Sequence, residues 1–307
     1  NDEASMVVLK STYDVIVVKG AKQKVIDAVD CTGETCVVEN IVATLTVKFP
    51  GIAGVHTYVK VNDGVAGASG GDVENRTYKN DEASMVVLKN TYDVIVVKGA
   101  KQAVIDAVDC TGETCMVENI VATLTVKFPG ISGVHTYVKV DNSIAGTATG
   151  GDVENRTYKN NETSMVVLKN TYDVVVVKGA KQKVIDAVDC TGNTCVVENI
   201  VATFTLKFPG KTGVHVYVKV TDNVAGTAAG GDVENRTYQN NSTTMVLLKN
   251  TYDVVVKIGA DSFILDDINC TGNTCTYSLA VVKLVNSANV ALAGGVVKYY
   301  DGSWHPV

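Results

Sequence analysis

The stretch Ala43-Thr44-Leu45-Thr46-Val47-Lys48-Phe49-Pro50-Gly51 indicates the fold of this chain. Apolar side chains alternate with Thr and Lys up to Phe49, a period of two that is typical of a strand with one buried face. The Pro50-Gly51 pair that follows is a turn signal. Residues 214–220 alternate in the same way, and no long segment has the 3.6-residue apolar period of a helix. Short strands separated by regular turns predict an all-β sandwich.

Two further segments are predicted to be strands of other kinds. Residues 13–18 read Tyr-Asp-Val-Ile-Val-Val, with little alternation, and this pattern predicts a more deeply buried strand. Residues 85–88 predict another short strand.

Composition excludes several classes of partner. The chain has 307 residues, 46% of them hydrophobic, with a net charge of -6 and both signs mixed along the sequence. It contains no basic tract, so nucleic acid is not an expected partner. No apolar run approaches the ~20 residues that cross a bilayer, so no membrane insertion is expected.

The chain repeats itself with a period of about 80 residues. The first cysteine of each C-x4-C pair recurs after 79, 80 and 80 residues. Residues 71–78, Gly-Asp-Val-Glu-Asn-Arg-Thr-Tyr, recur unchanged at 151–158 and 231–238. We predict a tandem array of small β-sandwich domains at 41–119, 120–199 and 200–279, with the second half of a domain at 1–40 and a divergent first half at 280–307.

The split domains have two explanations, which the sequence leaves open. The chain is either a window on a longer polypeptide, or copies of it complete one another head to tail by strand complementation. A half-sandwich left alone would expose unpaired strand edges.

The eight cysteines form four pairs with identical spacing, which predicts four disulfides and an oxidising compartment. We place Gly33-Glu34 as a type II′ loop, which makes Cys31 and Cys36 an opposed pair at a Cα distance of roughly 4.5 Å. A disulfide that closes such a short loop stabilises the folded state by about 2 kcal/mol. A zinc site is disfavoured because no second pair or His lies nearby in sequence. The predicted pairs are Cys31 with Cys36, Cys110 with Cys115, Cys190 with Cys195, and Cys270 with Cys275.

The strands that end in Lys-Gly, as at residues 90–99, and the segments 282–286 and 293–300 resemble carboxypeptidase-regulatory-like, or transthyretin-like, β-sandwich repeats of secreted prokaryotic surface proteins. The resemblance covers essentially the whole chain. It implies Ig-like antiparallel sandwiches of about seven strands and ~80 residues, and no catalytic residues. Related pilin-type domains use a Lys–Asn isopeptide bond, for which Glu39-Asn40 is a weak candidate here.

Several polar positions are candidate sites. Asn75, Asn155 and Asn235 lie in Asn-Arg-Thr sequons, and Asn161 and Asn241 lie in two further sequons, so all five are glycosylation candidates. The alternative for each is a polar strand edge or turn.

A repeated histidine and a set of carboxylates are weaker candidates. His56, His135 and His215 occupy one repeated position, for which a solvent-facing surface is favoured over metal binding or catalysis. Asp72 and Glu74, with Asp27 and Asp30, are candidate Ca²⁺ ligands, but solvated turn charges are favoured. Trp304 and His305 are expected to pack within the missing half-domain.

These observations favour a non-catalytic structural subunit of an extracellular filament or cell-surface stalk, built from head-to-tail sandwiches and without cofactor. The repeats are nearly identical, which suits a spacer, because a spacer needs many copies of one unit whereas an enzyme needs its active site only once. The alternatives are an adhesin that binds a glycan or a host surface through its repeats, and a spacer region of a larger secreted enzyme.

Overall fold

The computed structural model describes residues 4–67, 69–280, 298–300 and 304–306. These residues form strands, turns and irregular segments without a helix, so the described part of the chain contains no helix able to span a membrane. The prediction of an all-β fold is confirmed.

The strands follow one another in three groups of seven, with a pair before and a pair after. The first pair is β1 (Thr12–Lys19) and β2 (Lys22–Asp30). Sandwich 1 contains β3 (Val42–Phe49), β4 (Val55–Val61), β5 (Asp72–Lys79), β6 (Asp81–Leu88), β7 (Thr91–Lys98), β8 (Lys101–Asp109) and β9 (Thr114–Val117). Sandwich 2 contains β10 (Val121–Phe128), β11 (Val134–Val140), β12 (Asp152–Lys159), β13 (Asn161–Leu168), β14 (Thr171–Lys178), β15 (Lys181–Asp189) and β16 (Thr194–Val197).

Sandwich 3 contains β17 (Val201–Phe208), β18 (Val214–Val220), β19 (Asp232–Gln239), β20 (Asn241–Leu248), β21 (Asn250–Ile258), β22 (Asp261–Cys270) and β23 (Thr274–Ser278). The last two strands, β24 (Lys298–Tyr300) and β25 (Trp304–Pro306), pair antiparallel. The expected packing of Trp304 and His305 concerns side chains outside the described set, as does most of the half-domain predicted at 280–307.

Each sandwich has a three-stranded and a four-stranded sheet with the same strand order. In sandwich 1 the orders are β6-β3-β9 and β5-β4-β7-β8. Neighbouring strands are antiparallel as predicted, except that β3 and β9, the first and last strands, pair in parallel with Thr44 opposite Thr114. The corresponding pairs β10–β16 and β17–β23 are also parallel.

The chain divides into two compact units. The first, Asn1–Lys178 with Gln182–Ile200, holds β1–β2 and sandwiches 1 and 2, and the second, Gly179–Lys181 with Val201–Val307, holds sandwich 3. The predicted repeat boundaries stay predictions.

The core of each sandwich follows from the period-two pattern. In β3 the side chains of Leu45, Val47 and Phe49 are fully buried between the sheets, while the intervening Thr and Lys side chains are more exposed. Strand β7 lies in the centre of its sheet, and Tyr92 and Val94 are fully buried there. Both strands lie between two neighbours in their sheets, but β3 buries one alternating face and β7 buries a continuous apolar run.

The prediction of a deeply buried strand at residues 13–18 is wrong, although β7 has the same sequence and is buried. In β1 exposed and half-buried residues alternate, and Ile16 and Val18 are exposed. The reason is that β1 pairs only with β2 among the described residues, whereas β7 lies between β4 and β8.

The prediction that each cysteine pair closes a β-hairpin is also wrong. Strand β8 precedes Cys110 and belongs to the four-stranded sheet, whereas β9, which holds Cys115, belongs to the three-stranded sheet. The chain crosses from one sheet to the other here, because β9 takes its hydrogen bonds from β3 rather than from β8. The disulfide therefore ties the two layers of the sandwich together.

The same correction applies to the second cysteine of the next two pairs. Cys195 lies in β16 and pairs with Leu124 of β10, and Cys275 lies in β23 and pairs with Phe204 of β17. Neither strand is a neighbour of the strand that leads into its disulfide, β15 or β22. A parallel partner on the opposite sheet thus replaces the predicted hairpin partner in all three sandwiches.

Candidate functional site: a repeated junction and a histidine–tyrosine–asparagine surface

The four predicted cysteine pairs are disulfides in the structure, with Cα separations of 4.9 to 5.2 Å. The bonds join Cys31 to Cys36, Cys110 to Cys115, Cys190 to Cys195, and Cys270 to Cys275. The Cys195 and Cys275 side chains are buried.

The disulfide loop of each sandwich is attached to both of its sheets, as sandwich 1 shows. Cys110 is fully buried at the end of β8. Its N–H donates to the Asn90 carbonyl at 2.9 Å, and the Thr44 N–H donates to the Glu113 carbonyl at 2.8 Å. The short loop is thereby held by backbone bonds as well as by the disulfide.

An acidic residue precedes the first cysteine in three of the four pairs and caps the loop. The Asp109 carboxylate accepts a hydrogen bond from the Thr111 N–H at 2.9 Å, and this bond together with the one from the Thr111 hydroxyl lowers the pKa of Asp109. Asp30 and Asp189 bind Thr32 and Thr191 in the same way. Asp30 therefore has a local structural role, which differs from its candidate role as a Ca²⁺ ligand.

Two of the other candidate Ca²⁺ ligands, Asp72 and Glu74, face lysines. The Lys60 Nζ lies 2.7 Å from the Asp72 carboxylate, and the Lys19 Nζ lies 2.6 Å from the Glu74 carboxylate. The described residues contain no group of three or more His, Cys, Asp or Glu placed to hold a metal ion.

The repeated histidine lies in a polar aromatic surface, which we call the His–Tyr–Asn surface. In sandwich 1 the Tyr58 hydroxyl oxygen and His56 Nδ1 are hydrogen-bonded at 2.9 Å, and His56 Nε2 contacts Asn75 Oδ1. A neutral imidazole with its proton on Nε2 satisfies both bonds. Tyr78 stacks against His56 with ring centroids 6.1 Å apart, and its side chain is 74% exposed. The surface recurs around His135 and His215.

The backbone of this surface is unusual. Tyr78 has a φ of 47°, in a region that non-glycine residues seldom occupy, and Tyr158 and Tyr238 have φ values of 50° and 55°. In sandwich 1, Tyr78 lies close to the end of β5, one residue before Lys79. An exposed ring held at a strained position beside His and Asn can offer stacking area and hydrogen bonds to a polar ligand.

The five candidate glycosylation sites fall into two structural classes. Asn75, Asn155 and Asn235 lie in the His–Tyr–Asn surface and use their Oδ1 atoms, and their glycosylation stays a prediction. Asn161 and Asn241 accept a hydrogen bond from the N–H of a turn glycine, Gly130 or Gly210, at 2.9 Å.

The turn contact gives these two asparagines a structural role, and their glycosylation also stays a prediction. In sandwich 1 the same position is Asp81, which accepts the same bond from the Gly51 N–H at 2.8 Å. Asp81, Asn161 and Asn241 also share a positive φ of 62° to 64°, which Asp and Asn tolerate better than other residues.

The weak isopeptide candidate Asn40 has a comparable local explanation. Its φ is 57°, and Asn119 and Asn199 at the equivalent positions have φ values of 60° and 58°. The asparagine thus suits a left-handed turn before the first strand of each sandwich.

The sequence reasoning missed a contact between successive repeats, which we call the junction. The turn between β1 and β2 lies on β5 of sandwich 1, where the Ala21 N–H donates to the Asp72 carbonyl at 2.8 Å. Within the first unit the turn between β7 and β8 repeats this contact on β12, because the Ala100 N–H donates to the Asp152 carbonyl at 2.9 Å.

Each junction also carries an ion pair. Lys19 pairs with Glu74, and Lys98 pairs with Glu154 with Nζ and carboxylate oxygen 3.6 Å apart. Lys101 adds a cation–π contact to the junction, since its Nζ lies 6.0 Å from the centroid of the Tyr172 ring. Burial lowers the pKa of Lys101, and the nearby Asp141 carboxylate partly opposes this shift.

Two glycines make the junction sterically possible. A Cβ on Gly99 would lie 2.6 Å from the Asp152 carbonyl oxygen, and a Cβ on Gly151 would lie 2.4 Å from the Ala100 Cβ. The same relations hold at Gly20 and Gly71. The signal for the junction was present in the sequence, in the repeated Lys-Gly-Ala and Gly-Asp-Val-Glu segments, but only folding brings them together.

Apolar packing extends across the junction between sandwiches 1 and 2. Leu168 of β13 is fully buried and belongs to the core cluster of sandwich 1. Ile120, Val121 and Val166 pack against the same cluster. The two sandwiches therefore share buried surface in addition to the hydrogen bond and the ion pair.

Comparison with known proteins gives no family assignment. No family model and no curated protein matches the chain. Among solved structures, the TIE protein of Bacillus anthracis is 11% identical with a TM-score of 0.20, over 84% of this chain and 53% of that chain. This chain thus spans about half of the TIE protein.

Two other solved structures are similar at the same level. The minor pilin GBS52 of Streptococcus agalactiae is 10% identical with a TM-score of 0.21, over 54% of this chain and 99% of that chain. A putative adhesin from Bacteroides ovatus is 10% identical with a TM-score of 0.20, over 87% of this chain and 95% of that chain. Likenesses this low carry no argument about function, and the resemblance to transthyretin-like repeats stays a prediction.

Proposed function

We propose that this chain is a non-catalytic structural part of an extracellular filament or cell-surface stalk, in which β-sandwich repeats follow one another head to tail. The observation that carries the proposal is the junction, which joins successive repeats twice in the first unit through the same backbone bond, the same kind of ion pair and the same close approach of a glycine to the next repeat. A junction built from repeated residues adds repeats in one fixed way, which suits a structural array.

The strand order supports a mechanical role. The first and last strands of each sandwich are parallel neighbours, so the start of β3 and the end of β9 lie at opposite ends of that pair. Tension applied through the two ends then loads several interstrand hydrogen bonds at once, in shear, rather than opening them one by one.

The disulfides support an extracellular location, because four closed pairs persist in an oxidising compartment and seldom in a cytosol. We assign no catalytic residue and no cofactor to the chain. Immunogold labelling of intact cells of the source organism tests the location, and label confined to the cell interior would contradict it.

Single-molecule force spectroscopy of the chain tests the mechanical role. We expect three similar unfolding events, each releasing roughly 200–250 Å, since an extended chain spans ~3.3–3.6 Å per residue. Reduction should lengthen each event by roughly 10–20 Å, because the residues within the disulfide loop are then released. Extension without discrete events would contradict the proposal.

The His–Tyr–Asn surface favours a second candidate function, an adhesin that binds a glycan. Exposed Tyr78, Tyr158 and Tyr238 offer one aromatic ring per sandwich. Binding on a glycan array that strengthens with the number of repeats would favour this candidate. Absence of binding together with discrete unfolding events would favour the stalk.

A further inference from the structure

The His–Tyr–Asn surfaces of the three sandwiches differ at one strand position, which carries a charge only in sandwich 3. In sandwiches 1 and 2 a valine, Val97 or Val177, lies opposite the histidine of the surface in the strand register. In sandwich 3 the residue opposite His215 is Lys257. The two valines are half-buried, whereas Lys257 is exposed. Strand pairing therefore places a cation on sandwich 3 at a position that is apolar in the other two.

Lys257 contacts the aromatic part of this surface. Its Nζ lies 5.3 Å from the centroid of the Tyr217 ring, and the centroids of the Tyr217 and His215 rings are 4.0 Å apart. The imidazole in turn stacks against Tyr238, with centroids 6.3 Å apart, and Tyr238 is 76% exposed. An ammonium group, an imidazole and an exposed aromatic ring thus form one patch on sandwich 3.

The charge of Lys257 is open to a ligand. The other lysine on the same face of β18, Lys219, pairs with Asp232, with its Nζ 2.8 Å from the carboxylate. Lys257 forms no ion pair with a carboxylate of the described residues. Ser262 of β22 lies opposite Lys257 in the register and adds an exposed hydroxyl group to the same row of side chains.

We propose that the His–Tyr–Asn surface of sandwich 3 binds a uronic acid residue of an acidic polysaccharide. The Lys257 ammonium and the Ser262 hydroxyl donate to the carboxylate, and an aromatic ring of the patch packs against the C–H face of the sugar. In a uronic acid the carboxylate is bonded directly to the sugar ring, so one sugar residue reaches both the cation and the neighbouring rings. The proposal rests on the second candidate function, glycan binding, to which it adds the ligand class.

Three variants of the full chain test the role of the charge. Lys257→Val restores the residue of the other two copies, and Val177→Lys introduces the charge into sandwich 2. Lys207→Val is the matched control, because it removes an equal charge from an exposed position of β17, which lies in the other sheet of sandwich 3. Circular dichroism and thermal unfolding verify that each variant folds.

Amide chemical shifts measured during titration with tetragalacturonate, and with the neutral tetrasaccharide cellotetraose, give the affinity and the place of binding. We expect tetragalacturonate to bind the wild-type chain more tightly than cellotetraose and to shift amides of β18 and β21. Lys257→Val should weaken tetragalacturonate binding about tenfold, the size of one charge-assisted hydrogen bond, and Lys207→Val should leave it unchanged. Val177→Lys should create a second site, with new shifts in β11 and β14.

Three results would overturn the proposal: a wild-type chain that does not bind tetragalacturonate, equal binding of the two tetrasaccharides, or equal losses in Lys257→Val and Lys207→Val. The glycan array tests the candidate function separately. Binding of sugars on the array without a preference for uronic acids would leave the adhesin candidate standing while this proposal fails. The unfolding events that test the filament depend on neither result.

Discussion

At the scale of single residues, one tyrosine per repeat shows how burial changes the contribution of a hydrogen bond to stability. The Tyr92 hydroxyl donates to the Leu88 carbonyl at 2.5 Å inside sandwich 1, and burial raises the pKa of Tyr92 to about 12. Tyr172 and Tyr252 donate to Leu168 and Leu248 in the same way. In the first copy Tyr13 makes this bond to the exposed Leu9.

Tyr92→Phe should destabilise sandwich 1 by about 1–3 kcal/mol, because the buried Leu88 carbonyl loses its side-chain donor. Amide hydrogen exchange in β6 and β7 should then accelerate by about tenfold or more. Tyr13→Phe is the matched control, since water can replace the lost donor at an exposed site. Similar acceleration in both variants would show that burial does not determine how much this hydrogen bond stabilises the protein.

At the scale of elements, whether a segment forms a strand depends on the neighbouring strand with which it can pair. Strand β9 has four residues and pairs only with β3 among the described strands. Residues 35–38 have no such partner among the described residues and form no strand. The disulfide between Cys110 and Cys115 keeps β9 near β3 because it joins the end of one sheet to the other.

Replacing Cys110 and Cys115 together by Ala should lower the free energy of unfolding of sandwich 1 by about 2 kcal/mol, the chain-entropy value for so short a loop. The exchange of the amides in Thr114–Val117 should report the loss first. The double variant of Cys31 and Cys36 is the control and should leave the three sandwiches as stable as before. An unchanged β9 in the first variant would mean that strand pairing alone fixes it.

At the scale of the whole molecule, the junction couples one repeat to the next. Its elements are a backbone bond to Asp152, the Lys98–Glu154 pair and the buried Leu168, and all lie within the first unit. Coupling of this kind makes the stability of a repeat array depend on its interfaces as well as on its domains.

Gly99→Ala should break the junction between sandwiches 1 and 2, because the added Cβ would lie 2.6 Å from the Asp152 carbonyl oxygen. We expect exchange of the Ala100 amide to accelerate at least tenfold, which corresponds to ~1.4 kcal/mol. Gly133→Ala is the matched control, since Gly133 also has a positive φ of 64° but open space around its Cβ position. If the control loosens the Ala100 amide equally, backbone strain rather than the junction explains the effect.

Sequence reasoning found the strands and missed the contacts between them. The alternation in residues 43–49 and the turn at Pro50-Gly51 are local signals, and they placed β3 correctly. The cysteine loop was predicted to be a hairpin because a Gly-containing loop between two cysteines has the same local sequence in both cases: when the flanking strands pair with each other and when they belong to different sheets. The junction was missed because Gly99 and Asp152 are more than fifty residues apart.

The sequence by itself determined the period, the strand-forming segments and the cysteine pairs, because side-chain alternation, turn residues and short spacings are local properties. The tertiary structure decided which identical segments become strands and which side chains are buried. Met6 and Met85 lie in the same six-residue sequence, yet only the second lies in a strand and in a core. The physical reason is that a strand's hydrogen bonds and its buried face are completed by other strands, so a segment without those neighbours keeps its pattern but not its structure.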